Sequence, residues 1–153
     1  MKKEIKISII SILVILIDQI IKYIIKSNLN IYESIKITKH LFITYVENTG
    51  GAFSILSGNV FFLTIIGFIC LVLFYIFFIR NKELKKYDII FYSIFIGGII
   101  GNMIDRIINK AVIDYIDVRL FDFAIFNFAD ICIVISIILI IIRSDLLENR
   151  RKH

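Results

Sequence analysis

The chain has 153 residues, is 59% hydrophobic with a mean hydropathy of +0.89, and carries a formal net charge of +5. A soluble domain of this size has too little interior for so much apolar side chain, the usual soluble share being about 45–50%. The composition therefore argues against a water-soluble enzyme. The lysines and arginines flank apolar runs, as in membrane anchors, so no nucleic-acid partner is expected.

Residues 2–6 hold Lys2, Lys3 and Lys6 ahead of an apolar run. That beginning looks like a secretory signal, but no small-x-small cleavage site follows. The run continues through Asp18 and Lys22, and residues 5–25 read as a retained first transmembrane helix. Residues 26–59 are a polar interlude. Alternation over 35–38 and 41–46 favours short strands. The paired glycines of Asn48-Thr49-Gly50-Gly51-Ala52-Phe53 indicate a turn in close quarters. Further spans are expected over 60–79, 88–108 and 123–142, with a short basic loop at 80–86, a polar loop at 110–122 and a basic tail from 143. Each is about 20 residues, enough for roughly 30 Å of hydrocarbon at about 1.5 Å per residue. The expected whole is one all-α integral-membrane domain over 1–153, with four transmembrane helices and a small extracytoplasmic β-structure.

Eleven lysines and arginines fall in 2–6, 80–86 and 143–152, against five in 26–39 and 110–119. The positive-inside rule then places both termini in the cytoplasm. With that orientation the polar residues of the spans gather at the outer face. Asp18 and Lys22 lie in the outer half of the first span, Asn102, Asp105 and Arg106 at the outer end of the third, and Asn127 and Asp130 at the start of the fourth. Asn48 and Asp114 sit in the outer segments. A site at the outer face accounts for this distribution, whereas an ion path would need polar groups through the full thickness.

Asp18 and Lys22 are four apart, in the favourable acid-before-base order for a helical ion pair, and serve equally as a neutralising structural pair. Gly97 and Gly101 form a small-xxx-small helix contact. Asn102, Asp105 and Arg106 share a helix face and read as scaffolding for a site. Asn127 is placed to cap the fourth helix, with Asp130 one turn inside. Asp114 has the apolar neighbours Val112, Ile113 and Tyr115, so its segment is expected to pack against protein or membrane. Asp117 and Asp122 keep more polar company and read as solvated loop acids. Cys70 and Cys132 lie in apolar runs as small core residues, and His40 and His153 are far apart, so neither metal nor cofactor is expected.

Two carboxylates without histidine, metal ligands or a serine–lysine pair point to aspartyl chemistry. Close acids share one proton because both resist ionising together. The ionised acid then activates water, and the protonated one polarises a peptide carbonyl.

Five pieces in order carry a family resemblance: Asp18-Gln19-Ile20-Ile21-Lys22, the segment 48–53, Gly101-Asn102-Met103-Ile104-Asp105-Arg106, Val112-Ile113-Asp114-Tyr115 and Phe126-Asn127-Phe128-Ala129-Asp130. The chain resembles lipoprotein signal peptidase, or signal peptidase II, over almost its whole length. The resemblance implies a four-helix aspartyl protease of the bacterial inner membrane, with a β-structure and a lid. It implies Asp114 and Asp130 as the catalytic pair, and Asp18, Lys22, Asn48, Gly50, Asn102, Asp105, Arg106 and Asn127 as site-shaping residues. The implied substrates are prolipoproteins bearing a diacylglyceryl cysteine, cut just before that cysteine by an enzyme in contact with membrane lipid and expected to be monomeric. Gly51 stands where the family often has alanine, and Tyr115 where phenylalanine is common. The rival readings are a small transporter or channel subunit using its acids as a proton or cation relay, a presenilin-like protease and a structural membrane partner. The relay would need an internal repeat or a continuous polar path. Tyr87-Asp88 lies at the cytoplasmic end, with no Gly-x-Gly-Asp after it. A structural partner leaves the cluster of acids and amides unexplained.

Overall fold

The computed structural model describes residues 2–51, 55–80, 82–120 and 123–149, with side chains as far as 144. The expectations for Ala52, Phe53 and Asp122 lie outside the described residues. In chain order the elements are α1 (Lys3–Asn28), β1 (Ser34–Lys36), β2 (Leu41–Asn48), α2 (Val60–Phe74), a π-helical extension (Tyr75–Arg80), α3 (Lys86–Asn109), β3 (Val112–Val118) and α4 (Phe128–Asn149). Among the described residues three helical segments are long and apolar enough to cross a membrane: Lys3–Asn28, Val60–Arg80 and Lys86–Asn109. They match the expected first three spans to within a few residues.

The fourth expected span starts too early. Residues 123–127 are not helical, because the backbone of Phe126 is spent on a strand: its N–H donates to Ile116 O at 3.2 Å, and its carbonyl accepts from Ile116 N at 2.8 Å. The helix starts only at Phe128 and runs on to Asn149, into the expected tail. Its uncharged run is 131–142, between Asp130 and Arg143.

Helix α3 is the centre of the bundle, with α1, α2 and α4 packed around it. Glycine makes the closest approaches possible. A Cβ on Gly97 would lie 2.7 Å from Val14 on α1, and one on Gly98 would lie 2.7 Å from the Ala129 carbonyl on α4. Without a water-driven force between helices in lipid, such close packing carries the association. Helix α1 buries Ile7, Ser11, Val14, Asp18 and Lys22, at spacings of three and four, against this surface. Its other faces are largely apolar and exposed, and α2 fully buries only Phe74, with Phe61 80% and Phe68 61% accessible. In water that would be ruinous, but against lipid it is the solvated state.

At the end of α3 away from the sheet, Lys3 Nζ donates to the carbonyls of Ile79 at 2.7 Å and Lys82 at 2.8 Å. It thereby satisfies carbonyl groups at the end of the π-helical extension. Arg143 pairs with Asp88 at 2.8 Å and ties α4 to the start of α3.

The three strands form an antiparallel sheet in the order β1-β2-β3. Strand β3 replaces the polar loop expected over 110–122. Its alternation is blurred by burial of Val112, Ile113, Asp114 and Tyr115 in succession, which hides the strand period from a sequence reading. The register Ile43↔Ile116 and Val46↔Asp114 leaves one extra residue on β2, a bulge that buries the neighbours Thr44 and Tyr45 together.

Replacing Gly98 by alanine should lower the melting temperature of the detergent-purified protein, because the facing atom is a backbone carbonyl that cannot rotate away. Overpacking of this kind costs about 1–3 kcal/mol. Gly67→Ala meets only the flexible tip of Met103, at 3.0 Å, and should cost far less. Equal melting temperatures for the two variants would refute this account of the α3–α4 contact.

Candidate active site

Asp114 enters from the sheet. Asn48 lies opposite Val112 and Asp114 opposite Val46, so Asn48 and Asp114 are diagonal neighbours on one face. The Asn48 amide donates to Asp114 Oδ2 at 2.9 Å, and the Asn127 amide donates to Oδ1 at 2.6 Å. Burial first, then the charge of Asp130, push the Asp114 carboxyl up to about 7, although the Asn48 and Asn127 donors and the charge of Lys22 act in the opposite direction.

Asp130 enters from the first turn of α4. Asn127 and Asp130 form a reciprocal cap: Asp130 N–H donates to Asn127 Oδ1 at 3.0 Å, and Asn127 N–H donates to Asp130 Oδ2 at 3.1 Å. Asp130 Oδ1 accepts from the Asn102 amide at 2.8 Å. Asn127 also donates to Asn102 Oδ1 at 3.1 Å. The run Asp114–Asn127–Asn102–Asp130 therefore joins the two carboxylates through two amides, one from within α3 and one at the start of α4.

Beneath them lies a buried ionic cluster. Lys22 Nζ reaches Asp18 Oδ2 at 2.8 Å, Asp105 Oδ2 at 2.8 Å and Asn102 Oδ1 at 3.0 Å. Lys22, Asp18 and Asp105 are each 1% exposed or less. Each acid also reaches onward: Asp18 Oδ1 accepts from Ala129 N–H at 3.2 Å, and Asp105 Oδ2 from Ile113 N–H at 3.2 Å. The cluster thus holds the residue before Asp130 and the residue before Asp114. The sequence left Asp18–Lys22 evenly balanced between structure and function. In the fold they form a neutralising pair whose cluster bonds onward to Ala129 and Ile113, the neighbours of Asp130 and Asp114.

Arg106 projects from α3 toward the Asn48 turn, donating from Nη2 to Gly50 O at 3.2 Å. Its buried Nε has no hydrogen-bond partner among the described residues. Gly50 N–H donates to Asn48 Oδ1 at 2.9 Å, so the turn also fixes that amide. A cavity of about 630 Å³ opens here. Its polar lining includes Asn48, Asn102, Arg106, Asp114 and Asp130, and its walls are apolar side chains of α2, α3 and α4.

Asp117 departs from expectation. It is 7% exposed, not solvated, and its carboxylate accepts from Thr44 Oγ1 at 2.7 Å and pairs with Arg119 at 2.7 Å. Burial acts to raise it, but the hydrogen bonds from Arg119 and Thr44 and the Arg119 charge outweigh that and hold it below the usual carboxylate range. Standing three positions from Asp114 on one strand, it faces the other side of the sheet. There Arg119 lies 3.8 Å over the Phe42 ring and also donates to Ser34, joining all three strands.

Two participants escaped the sequence reading. Gln19 donates to Asp105 Oδ1 at 3.1 Å and to the Gly101 carbonyl at 3.2 Å. The Tyr115 hydroxyl accepts from Phe128 N–H at 3.1 Å, an otherwise open donor at the start of α4. Both stand in the pieces that carry the family resemblance, each adjacent to a candidate aspartate, but the sequence reading gives neither a bond within the site.

Comparison with known proteins covers most of the chain. A family model described as signal peptidase (SPase) II matches residues 10–146. Proteins named lipoprotein signal peptidase from Staphylococcus aureus, including strains JH9 and Newman, are 40% identical over 136 residues, covering 87% of this chain and 83% of theirs. Two solved structures of bacterial membrane enzymes, obtained by the in meso method, superpose well. The one at 2.3 Å resolution has a TM-score of 0.86 and 37% identity, covering 96% of this chain and 91% of that one. The one at 1.9 Å has a TM-score of 0.80 and 38% identity, covering 90% and 91%. Matched from within its first helix to within its last, and folded as those membrane enzymes are, this chain belongs to the signal peptidase II family of proteases.

Proposed function

We propose that this protein removes the signal peptide from prolipoproteins bearing a diacylglyceryl cysteine, cutting just before that cysteine, with Asp114 and Asp130 as its catalytic pair. The observation that carries the assignment is the amide-bridged pair of carboxylates at an otherwise apolar cavity. The relatives' name, lipoprotein signal peptidase, supports the substrate class.

In this reading Asp114 holds the shared proton, in keeping with its raised pKa. Asp130 takes a proton from water as the water oxygen attacks the scissile carbonyl, and Asp114 donates to that carbonyl oxygen. The tetrahedral intermediate collapses as Asp130 returns its proton to the leaving nitrogen and Asp114 recovers its own. One water is consumed, its hydroxyl ending on the new carboxyl and its hydrogen on the amine. The Nε of Arg106, without a partner among the described residues, is an available donor for a substrate carbonyl at the cavity. Apolar walls suit the acyl chains and the signal segment, which need not leave hydrocarbon.

The relay reading is disfavoured by what lies farther along the helices. There the buried polar side chains short of the Asp88–Arg143 pair include Ser11, Ser93 and Ser136, and each spends its hydroxyl on a backbone carbonyl.

Asp114→Asn and Asp130→Asn should each lower cleavage by about 10⁴-fold or more, and the double variant should be little worse, since members of a catalytic unit are not additive. Asp117→Asn should remain active. Wild-type kcat should fall on the alkaline side near pH 7, because the pair works only with one proton bound and Asp114 loses its proton there. Cleavage assays on lipidated precursor across pH test both, and an active Asp130→Asn would show that the wrong acids are paired.

Acyl burial is worth about 0.8 kcal/mol per CH₂. Lipidated precursor should therefore be cleaved far faster than the same precursor without lipid. Equal kcat/KM on the two would instead mark a general signal peptidase.

The proposed topology has α4 as a fourth crossing of the bacterial inner membrane, both termini cytoplasmic, the site near the outer face and the enzyme working as a monomer. In a background lacking Cys70 and Cys132, Lys39→Cys should react with an impermeant thiol reagent from outside, and Lys86→Cys only after lysis. The opposite pattern would invert the assignment.

A further inference from the structure

Each asparagine around the two carboxylates has an amide that could face either way, and what its carbonyl oxygen touches decides the matter. Asn48 Oδ1 accepts from the Gly50 N–H at 2.9 Å, and Asn127 Oδ1 accepts from the Asp130 N–H at 3.0 Å. A backbone N–H can only donate, so both NH₂ groups must turn the other way, and both reach Asp114. Asn102 has no such backbone donor within its bonds. It lies inside α3, where backbone N–H groups are spent on the helix. Two donors take that place: the Lys22 ammonium, from the neighbouring helix at 3.0 Å, and the Asn127 NH₂, already turned by the Asp130 N–H, at 3.1 Å. An ammonium, too, can only donate. The Asn102 NH₂ is thereby turned to Asp130 Oδ1, 2.8 Å away.

We infer that Lys22, which touches neither carboxylate, is a positioning residue for the catalytic pair: it locks the Asn102 amide so that Asp130 meets an N–H donor and not a carbonyl. The inference rests on the proposed pairing of Asp114 with Asp130. With Lys22 in place, both carboxylates accept N–H donors and the shared proton goes to Asp114. Without it, the Asn102 oxygen keeps only the Asn127 amide as its donor, and the amide inverts more readily. A carbonyl oxygen facing Asp130 repels its charge and draws the proton to the acid that must act as base. The charged groups around this relay are Asp18 on α1, Asp105 and Arg106 on α3, Asp114 on β3 and Asp130 on α4, while β2 contributes the neutral Asn48.

The test is the pH dependence of kcat and KM for Lys22→Met combined with Asp18→Asn. The double change removes one charge of each sign, and the asparagine oxygen can still accept from Ala129. Of the two charges removed, it is the Lys22 cation that holds the Asp114 carboxyl down, so its loss disfavours ionisation and the active range should move up by about one pH unit. At the wild-type optimum kcat should fall about tenfold, with KM unchanged. Lys22→Gln, neutral and able to present either end of an amide, should shift the range in the same direction. A reduced yield of active protein with an unmoved pH range would make Lys22 a scaffold only and overturn the inference, as would an unchanged enzyme. The wild type gives a reading that needs no variant to fold. In ¹⁵N-asparagine-labelled protein, the Asn102 side-chain NH₂ resonance should move with pH in step with kcat, and a resonance that ignores both limbs overturns the lock. Activity in Asp114→Asn or Asp130→Asn would instead show that the pairing itself is at fault.

Discussion

One ammonium group, Lys22 Nζ, joins the parts of this molecule that must stay in register. It satisfies its three N–H bonds with two carboxylates and one amide, and through them it reaches α3, the start of α4 and the start of β3. Burying an ion away from water costs several kcal/mol, and only full pairing offsets it. Here the acids that neutralise the lysine spend their remaining capacity on backbone N–H groups and on Gln19, so the desolvated charges are bonded all round. Such a cluster tolerates one arrangement. A helix that slid by one residue would leave a bare charge in hydrocarbon, so the cluster sets register where the greasy helix surfaces by themselves would permit sliding.

The surrounding medium explains the division of labour among the helices. Apolar side chains face outward, where lipid is the solvent, and glycines take the helix contacts, where close backbone approach replaces hydrophobic burial as the source of adhesion. Polar groups are concentrated at the end of the bundle next to the sheet. In that dry setting a carboxylate is held by donors or by a proton, and the site uses both: N–H donors around Asp130, and a carboxyl raised by burial at Asp114.

The small sheet acts as an aiming device. Strand alternation puts Asp114 and Asp117 on opposite faces, so one faces Asn48 and Asn127 while the other is neutralised by Arg119. The Asp105 bond to Ile113 fixes the end of β3 next to Asp114, and the Tyr115 hydroxyl fastens the same strand to the first N–H of α4. Two carboxylates from distant segments are thus held by bonds on either side of each, and neither depends on its own side-chain rotamer alone.

The apolar runs, the basic flanks and the gathering of acids and amides at one end were legible in the chain itself. Hydropathy and charge are properties of single residues summed along a segment, and the lipid solvent acts on that sum. The i, i+4 partnership of Asp18 with Lys22 and the cap of α4 by Asn127 were legible for the same reason, since both close within one helical turn. Strand β3 was not, because four successive buried residues erase the period of two. The start of α4 was missed because Phe126 is drawn into pairing by Ile116, a residue ten positions earlier. The burial of Asp117, the work of Gln19 and Tyr115, and the orientation of the Asn102 amide depended on tertiary structure alone. Which face a strand turns inward, and which end of an amide meets a carboxylate, are decided by the partner that arrives from elsewhere in the chain.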